Sequence, residues 1–334
     1  MNIAINGFGR IGRHSFKAGF GRKNFNIVAI NDLTDTKTLA HLLKYDTAYP
    51  TYNKEIGYDE KNIIVDGVKI PVFAEKDPAL LPWKDMEIDV VLECTGHFTK
   101  KEGAELHIKA GAKKVVLSAP AKGEGVPTYV RGVNCGEVKN EEAKVISNAS
   151  CTTNCIAPVM AVLEEEFGIE KAMMSTVHAY TADQNIQDGP HKDLRRARAA
   201  AESIVPTTTG AAKAVAETIP AMKGIFDGVA LRVPVVTVSL SDITAVLKKK
   251  VTKEEINTAF VKAAKSKRFA GVLDATEEEL VSADFIGNPY SSIVDLKLTN
   301  VVGGDLVKIV AWYDNEYGYA GRLVEMAELF GMGK

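Results

Sequence analysis

The sequence predicts an α/β protein in which a doubly wound parallel sheet is followed by an α+β domain with a mostly antiparallel sheet. Its 334 residues correspond to about two domains at the usual ~100–200 residues each. In residues 1–150, short β-rich runs alternate with amphipathic segments, which is typical of parallel β-α-β units. Beyond residue 151, long β-rich runs dominate and indicate antiparallel strands with helices on one face.

The elements can be assigned in order from the spacing of their apolar residues. Runs rich in Ile and Val predict strands, and apolar positions that recur about every 3.6 residues predict helices. The turn-rich segment 46–85 predicts hairpins and loops, and 179–208 predicts a long loop. The predicted strands are 2–6, 26–31, 89–93, 114–118, 144–147, 172–178, 229–236, 237–247 and 306–313, and the predicted helices are 11–23, 36–43, 101–110, 151–167, 253–265 and 320–330.

Composition and charge exclude several functional classes. Apolar residues make up 46% and charged residues 25% of the chain, as in ordinary globular proteins. The net charge of -2 gives no reason to expect a nucleic-acid or membrane partner, and no apolar run approaches the roughly 18 residues of a membrane helix. The four cysteines lack zinc-site spacing, so we expect free thiols and no metal. Because a strand begins at residue 2 and leaves no room for a leader, we expect a cytoplasmic protein.

A glycine-rich motif after the first strand predicts a dinucleotide-binding site of the Rossmann type. Gly7 permits a tight turn, Gly9 lets the backbone approach a pyrophosphate, and Gly12 lets the helix pack closely on the sheet. Asp32 ends the next strand, where a carboxylate can accept hydrogen bonds from ribose hydroxyls and would repel a 2′-phosphate. The motif therefore favours NAD over NADP. The predicted cofactor-binding residues here are Gly7, Gly9, Arg10, Ile11, Gly12 and Asp32.

Cys151 is a candidate nucleophile because it lies between a predicted strand and a predicted helix. Ser150 and Thr152 beside it can cap the helix, and the field of a helix N-terminus favours the thiolate. The alternative is that Cys151 is a small buried residue, which is the usual fate of a free cysteine. That structural interpretation is adopted for Cys155, Cys94 and Cys135.

The chain resembles the glyceraldehyde-3-phosphate dehydrogenase family. Its segment Asn148–Cys155 is similar to the family's A-S-C-T-T-N-C signature, and the resemblance extends over nearly the whole chain. The other matching segments are 6–13, 175–181, 193–198, 207–213, 232–234 and 312–316.

The resemblance implies a cysteine-based oxidation of an aldehyde. Cys151 would attack glyceraldehyde 3-phosphate to give a thiohemiacetal, and hydride transfer to NAD would leave a thioester. Inorganic phosphate would then release 1,3-bisphosphoglycerate, which is a step of glycolysis and gluconeogenesis. His178 matches the family's base and would form a thiolate–imidazolium pair with the sulfur. The resemblance thereby raises His178 above the alternative of a packed histidine.

The resemblance also assigns residues to two anion sites and to the nicotinamide. The three arginines Arg195, Arg196 and Arg198 cannot be separated by sequence, although Arg198 is included in the second anion site. Gly189 stands where NAD-specific members commonly have Leu, which leaves some NADP use open. One anion site would use Thr181, Asp183 and Arg232; the other would use Ser150, Thr152, Thr209, Gly210 and Arg198; and Lys76, Ser118, Asn315 and Tyr317 would lie near the cofactor.

The resemblance further implies an NAD-binding domain at 1–150, with a C-terminal helix at 316–334 packing back on it, and a catalytic domain at 151–315. It implies a homotetramer in which the 179–208 loop approaches a neighbouring subunit. Two other functions stay open. Erythrose-4-phosphate dehydrogenase shares the fold, the cysteine and the histidine but favours water over phosphate. A binding protein that retains only the fold has little support from the near-neutral charge.

Overall fold

The computed structural model describes residues 1–332, apart from the side chains of residues 137, 139 and 140. The chain divides into two compact units. The first unit contains Met1–Tyr129, Cys135–Ala149 and the chain from Ala320 onward, and the second contains Val130–Asn134 and Ser150–Tyr319.

The first unit is built on an eight-stranded sheet with the order β3-β4-β5-β2-β1-β6-β7-β8. The five neighbouring pairs β5–β2, β2–β1, β1–β6, β6–β7 and β7–β8 are parallel. The remaining pairs, β3–β4 and β4–β5, are antiparallel and form a meander. The strands are β1 Asn2–Asn6, β2 Asn26–Asn31, β3 Ile56–Tyr58, β4 Asn62–Val65, β5 Val68–Phe73, β6 Val90–Glu93, β7 Lys114–Leu117 and β8 Val145–Ser147, and the helices are α1 Arg10–Gly19, α2 Thr36–Lys44 and α3 Lys101–Lys109.

The core of the first unit explains why these segments are strands. Ile3 and Ile5 of β1 are fully buried, as expected for a parallel sheet that is covered on both faces. The chain from Ala320 onward contributes Leu323 and Phe330 to the same core cluster. Burying a side chain of this size stabilises the fold by about 1.5–3 kcal/mol relative to leaving it in water.

The second unit contains a mixed sheet with the order β10-β11-β9-β12-β16-β14-β13, and β15 pairs with β16. Its neighbours are antiparallel except for the pairs β9–β11 and β13–β14. The strands are β9 Ile169–Ala179, β10 Val205–Thr208, β11 Phe226–Val233, β12 Ser239–Leu247, β13 Leu273–Thr276, β14 Ser292–Asp295, β15 Asn300–Val302 and β16 Leu306–Tyr313, and the helices are α4 Cys151–Phe167, α5 Ala211–Thr218 and α6 Lys253–Ala264. The last helix, α7 Tyr317–Gly331, begins in the second unit and belongs to the first unit from Ala320 onward.

The predicted fold class is confirmed: a parallel-rich sheet with helices is followed by a mostly antiparallel sheet with helices. The helix α4 and the strand β16 have the bounds that the sequence predicts. The sequence prediction misses α5 and the short strands β10, β13, β14 and β15. These strands have three or four residues, which is too few for a period-2 pattern to be recognised. Moreover, β10 contains Pro206. Proline is tolerated in an edge strand such as β10, but in a sequence it favours the prediction of a loop.

The register of the second sheet determines which side chains meet at the end of β9. His178 of β9 pairs with Arg232 of the parallel strand β11. Partners in register project from the same face of a sheet, so these two side chains become neighbours.

Among the helices of residues 1–332, none combines the length and the apolar character that a bilayer-spanning segment needs.

Replacing Gly318 by Ala should destabilise the second unit. A methyl group at Gly318 in α7 would lie 2.7 Å from the carbonyl oxygen of Tyr290, and overpacking of this kind costs about 1–3 kcal/mol. We expect a thermal midpoint several degrees lower, at roughly 2–4 °C per kcal/mol.

The matched control is Gly321→Ala in the same helix. A methyl group there would meet nothing within 4 Å, and alanine favours a helix over glycine by about 0.5–1 kcal/mol. Equal midpoints for Gly318→Ala and Gly321→Ala would contradict the packing argument.

Candidate active site

Cys151 is the first residue of α4, and the turn before it is held by a side-chain cap. The Ser150 hydroxyl accepts a hydrogen bond from the Thr153 N–H at 3.0 Å. The remaining N–H groups of the first turn are available, and the helix dipole adds partial positive charge there. The Cys151 side chain is partly exposed, and its Sγ lies 3.5 Å from Nε2 of His178.

The other cysteines have different environments. Cys155 is buried one turn further along α4, with Sγ 3.7 Å from the Ser292 hydroxyl and 3.8 Å from the Ala311 carbonyl oxygen. Burial raises the pKa of Cys155 to about 12, and burial also raises the pKa of Cys94. These two thiols are therefore protonated and unreactive near neutral pH, as the structural interpretation expects.

His178 lies near the end of β9 and is 4% exposed. Its Nδ1 is 2.7 Å from the Ala179 carbonyl oxygen and 2.8 Å from Nη1 of Arg232. Burial, followed by the charge of Arg232, lowers the pKa of His178 to about 3. The imidazole is therefore neutral near pH 7.

Burial acts against a charge on either member of the pair, and the thiolate–imidazolium state stays a prediction. Burial raises the pKa of the Cys151 thiol, whereas the Arg232 charge and hydrogen bonding from Thr152 act to lower it. Since burial also lowers the pKa of His178, it favours the neutral thiol beside the neutral imidazole. The sequence argument included the helix field but not the desolvation of both groups.

A chain of hydroxyl groups lies beside the pair. The Thr176 hydroxyl donates to the Leu240 carbonyl oxygen at 3.1 Å, so it must accept from the Tyr313 hydroxyl at 2.8 Å. Tyr313 in turn accepts from the Thr152 hydroxyl at 2.9 Å. The ring of Tyr313 also packs edge-on against His178, with centroids 6.0 Å apart. The Thr152 hydroxyl is thus bound within the protein, and its backbone N–H can bind an anion.

Charged and hydroxyl side chains form a cluster on the 179–208 loop. Asp183 accepts hydrogen bonds from the Thr181 hydroxyl and from Nη1 of Arg196. Nε of Arg196 donates to the Thr207 hydroxyl at 3.0 Å. Burial would raise the pKa of Asp183, but the Thr181 hydroxyl and the charges of Arg232 and Arg196 hold it below its usual value. Asp183 is therefore a carboxylate that orients Arg196.

The structure distinguishes the three arginines that the sequence could not separate. Arg196 is half-buried within the cluster just described. Arg198 is exposed and pairs with Asp188 at 2.9 Å, and Arg195 is exposed. Arg196 is thus the arginine placed among the predicted anion-binding residues, which the repeated Arg residues of this segment did not reveal.

Thr209 and Gly210 lie at the start of α5. The Thr209 hydroxyl accepts from the Ala211 N–H at 3.2 Å, and Gly210 occupies the N-cap position without a side chain. The first N–H groups of α5 are therefore partly unsatisfied within the helix.

Asn315 is held by the loop that precedes α7. Its Oδ1 accepts from the Ser239 hydroxyl at 3.0 Å, and that hydroxyl accepts from the Ala179 N–H at 3.1 Å. This fixes the orientation of the amide and turns its NH2 group away from Ser239. The buried Asp314 carboxylate accepts from the N–H groups of Glu316 and Tyr317, both at 2.9 Å, and so caps α7. The Tyr317 side chain is 43% exposed.

The glycine motif borders a cavity of about 460 Å³ in the first unit. Gly7 has a φ of 90°, and a methyl group on it would lie 2.7 Å from the Thr95 nitrogen. A methyl group on Gly12 would lie 2.1 Å from the Gly7 carbonyl oxygen, whereas the space beside Gly9 is open. The Asp32 carboxylate accepts from the Phe8 N–H at 2.7 Å. The glycines therefore fit the roles of turn, close packing and ligand approach.

The lining of this cavity includes some predicted residues and adds others. Lys76 lines the cavity, but Arg10 pairs with Asp46 at 2.5 Å, and Ile11 packs against the core. The Ser118 N–H donates to the Glu93 carbonyl oxygen at 2.9 Å. The sequence reasoning missed five lining residues at the carboxyl ends of the parallel strands, where ligands of such sheets bind. These are Asn6, Asn31, Glu75, Cys94 and Thr95.

A larger groove of about 1050 Å³ lies on the open face of the second sheet. It is lined by strand residues such as Met173, Val229 and Leu306, with no histidine or cysteine among them. The chemistry of the nucleophile is therefore elsewhere. Among the described residues there is no cluster of three or more His, Cys, Asp or Glu side chains that could hold a metal ion.

Comparisons with known proteins agree over the whole chain. The domain family "Glyceraldehyde 3-phosphate dehydrogenase, NAD binding domain" matches residues 1–101, and "Glyceraldehyde 3-phosphate dehydrogenase, C-terminal domain" matches residues 150–315. Glyceraldehyde-3-phosphate dehydrogenase 1 of Bacillus cereus is 54% identical, with 97% of each chain covered. The Geobacillus stearothermophilus enzyme is 53% identical over 98% of this chain and 97% of its own, and the Thermotoga maritima enzyme is 55% identical over 98% of each. The chain belongs to the glyceraldehyde 3-phosphate dehydrogenase family.

Proposed function

We propose that this protein is an NAD-dependent dehydrogenase that oxidises glyceraldehyde 3-phosphate and transfers the acyl group to inorganic phosphate. The observation that carries the proposal is the 3.5 Å contact between Sγ of Cys151, at the N-terminus of α4, and Nε2 of His178. A thiol beside an imidazole at a helix N-terminus is the arrangement that activates a cysteine for covalent catalysis.

The reaction begins with Cys151 and His178. The sulfur forms a bond to the aldehyde carbon and its proton passes to Nε2; the carbonyl oxygen becomes an alkoxide, which takes that proton from Nε2 and leaves the imidazole neutral. First-turn N–H groups of α4 can stabilise this oxygen while it is negative. The product is a thiohemiacetal. His178, which is neutral because burial and then Arg232 lower its pKa to about 3, has a free nitrogen for the proton.

Oxidation turns the thiohemiacetal into a thioester. NAD, when bound, supplies the acceptor for the hydride. The imidazole takes the hydroxyl proton as the carbonyl re-forms, and a phosphate oxygen then attacks the thioester carbon. Cys151 leaves as a thiolate, which the histidine can reprotonate. The thioester retains the free energy of the oxidation until phosphate arrives.

The first unit has the features that NAD requires. The open space beside Gly9 admits a pyrophosphate, and the Asp32 carboxylate suits ribose hydroxyls while disfavouring a 2′-phosphate. Gly7, Gly12 and Lys76 complete this part of the site. We assign Asn315 to the nicotinamide carboxamide, because Ser239 leaves the amide NH2 free to donate. Ser118, Tyr317, Arg10 and Ile11 remain predicted neighbours of the cofactor.

Two anion sites are proposed for the two phosphate groups. Thr181, Asp183 and Arg232 would form the first, with Asp183 orienting Arg196 rather than contacting the anion. The second would use Ser150, the Thr152 N–H, Thr209 and Gly210 at the starts of α4 and α5, where N–H groups attract anions. Arg196 replaces Arg198 in this assignment because Arg198 is exposed and pairs with Asp188.

Assembly, domain roles and location complete the proposal. We assign cofactor binding to 1–150, together with the helix at 316–334, and catalysis to 151–315. A homotetramer is supported by the open sheet face of the second unit, where Met173 is 66% and Val229 49% exposed. A cytoplasmic location is consistent with four cysteines that are all free thiols.

Formation of NADH should require both the phosphorylated aldehyde and inorganic phosphate. We expect multiple turnovers with glyceraldehyde 3-phosphate and phosphate, and a single turnover per active site without phosphate, because the thioester then accumulates. Stopped-flow absorbance of NADH measures both. Sustained turnover without phosphate, and faster reaction of erythrose 4-phosphate, would instead identify the protein as erythrose-4-phosphate dehydrogenase.

Iodoacetamide should alkylate Cys151 first and abolish turnover. In His178→Asn the pH midpoint of this alkylation should move upward. Burial still opposes ionisation of the Cys151 thiol in this variant, and the imidazole is no longer present to take the proton. The pH dependence of the alkylation rate measures the shift, and kcat should fall by about 10²–10⁴. In the control Cys155→Ala, alkylation should still stop turnover. An unchanged pH profile in His178→Asn would refute the pairing.

Arg196→Gln should raise the KM for inorganic phosphate by about tenfold, since a charge-assisted hydrogen bond contributes roughly 1.5–3 kcal/mol. Arg198→Gln is the matched control from the same loop, and its KM should stay within about twofold, because exposed ion pairs contribute little. Initial rates at varied phosphate distinguish the two. A larger increase of this KM in Arg198→Gln than in Arg196→Gln would instead assign Arg198 to the phosphate site.

A further inference from the structure

A buried carboxylate lies behind the dinucleotide cavity of the first unit. Glu93 ends β6 and is 2% exposed. Its Oε1 accepts from the N–H and the hydroxyl of Thr95, at 2.7 and 2.5 Å, and the same hydroxyl oxygen accepts from the His97 N–H at 3.0 Å. Its Oε2 accepts from the Asn6 side-chain amide at 2.5 Å and lies 3.1 Å from Nε2 of His107. Asn6, Thr95 and His97 line the cavity, so Glu93 holds three residues of its wall.

The direction of the His107 contact is fixed by Trp83. Both side chains are fully buried, and the Trp83 indole N–H donates to Nδ1 of His107 at 2.9 Å. An indole nitrogen can only donate, so Nδ1 of His107 carries a lone pair and Nε2 carries the proton. The ring is therefore neutral and donates to Glu93. Each oxygen of the carboxylate thus faces an N–H group that cannot accept a hydrogen bond.

Two side-chain amides extend this direction from Glu93 to a second loop. The Asn6 NH2 group points at Glu93, so its Oδ1 accepts from the Asn31 amide at 2.7 Å. Asn31 then binds the backbone of Glu75 twice: its Oδ1 accepts from the N–H, and its NH2 group donates to the carbonyl oxygen, both at 2.9 Å. Glu75 and the adjacent Lys76 line the same cavity. The orientation of both amides is therefore determined from either end of the chain.

This network needs a carboxylate at position 93. Among the described residues, the donors to Glu93 are all uncharged, and a buried carboxylate without a cation is costly. A neutral glutamine of the same shape would avoid that cost, but its single acceptor oxygen would leave its NH2 group facing an N–H donor. Reversing Asn6 and Asn31 would only move the conflict to the Glu75 N–H, which cannot reverse. The carboxylate is therefore required by the direction of the network.

We propose that Glu93 is a positioning residue for the cofactor. Its carboxylate fixes two loops that border the dinucleotide cavity, 95–97 directly and 75–76 through the amide chain. Because Asp32 lines the same cavity and suits a ribose, the effect concerns the adenosine half of NAD. This deepens the proposed function by naming a residue that keeps its cofactor site in shape.

Binding of ADP-ribose, which lacks the nicotinamide, tests the proposal without turnover. In Glu93→Gln the Kd for ADP-ribose, measured by titration calorimetry, should rise by about tenfold to a hundredfold, because the reversed donors displace both loops. The KM for NAD should rise by a similar factor, whereas kcat at saturating NAD should stay within about threefold. The charge-matched control is Glu102→Gln, an exposed position of α3, whose Kd should stay within about twofold. An unchanged Kd in Glu93→Gln would overturn the proposal.

A double-mutant cycle separates positioning from a general loss of stability. Glu93 and Asn31 belong to strands that have β1 between them, so they are linked only through the amide chain. Asn31→Ala should weaken ADP-ribose binding, and adding Glu93→Gln should weaken it little further, because both changes break the same chain. A combined increase in Kd equal to the product of the two single increases would exclude the positioning role.

Val91→Ala is the control for stability, since Val91 is fully buried in the same strand. It should lower the thermal midpoint and leave the Kd for ADP-ribose within about twofold. If Val91→Ala raised this Kd as much as Glu93→Gln does, the effect of Glu93 would be one of stability alone.

Histidine ¹⁵N chemical shifts test the network in the wild type, and thus remain decisive if Glu93→Gln does not fold. His107→Gln identifies the His107 signals in protein labelled with ¹⁵N-histidine. We expect a neutral ring with a protonated Nε2, both with and without ADP-ribose. A protonated Nδ1 would be incompatible with the Trp83 contact and would refute the proposed direction of the network.

The proposed function fails on a different result. If the wild type forms no NADH from glyceraldehyde 3-phosphate, the proposed function fails, whatever the affinity for ADP-ribose. If it forms NADH but Glu93→Gln binds ADP-ribose as tightly as the wild type, the positioning role of Glu93 fails alone.

Discussion

The site depends on desolvation of a thiol and an imidazole that are held side by side. Burial works against a charge on either group. Whether Cys151 or His178 holds the proton between them therefore depends on a few neighbouring groups in fixed positions. The register of β9 and β11 supplies the most important of them by placing Arg232 beside the ring. In this sense the sheet, rather than a flexible loop, determines the chemistry of the nucleophile.

The two units use different kinds of groups for binding. In the first, recognition depends on backbone: Gly7 and Gly12 allow contacts that any side chain would block, and Gly9 leaves room for a ligand. In the second, side chains dominate, and each is oriented by another, as Asp183 orients Arg196 and Ser239 orients Asn315. Such networks are strong because buried polar groups without partners are costly.

The sequence was sufficient for the fold class and for the strand–glycine–helix segment, because a G-x-G-x-x-G motif and long apolar runs have few structural solutions. It also identified Cys151 and His178 as partners, through the family resemblance. It did not predict how strongly burial opposes a charge on that pair, since desolvation depends on packing. Nor did it separate Arg196 from Arg198, which have the same chemistry and differ only in their neighbours. Short edge strands were missed because three or four residues contain too little periodicity.

The hydroxyl chain that ends at the Leu240 carbonyl has only one possible polarity. It holds the Thr152 hydroxyl against Tyr313, inside the protein. An oxyanion at this helix end would therefore meet main-chain amides, whose positions no side-chain exchange can readily alter, beside the side chains of Ser150, Thr209 and Arg196. Evolution or engineering could thus retune anion binding at either proposed site through an arginine, Arg232 at one and Arg196 at the other, whereas the main-chain donors of α4 would stay in place.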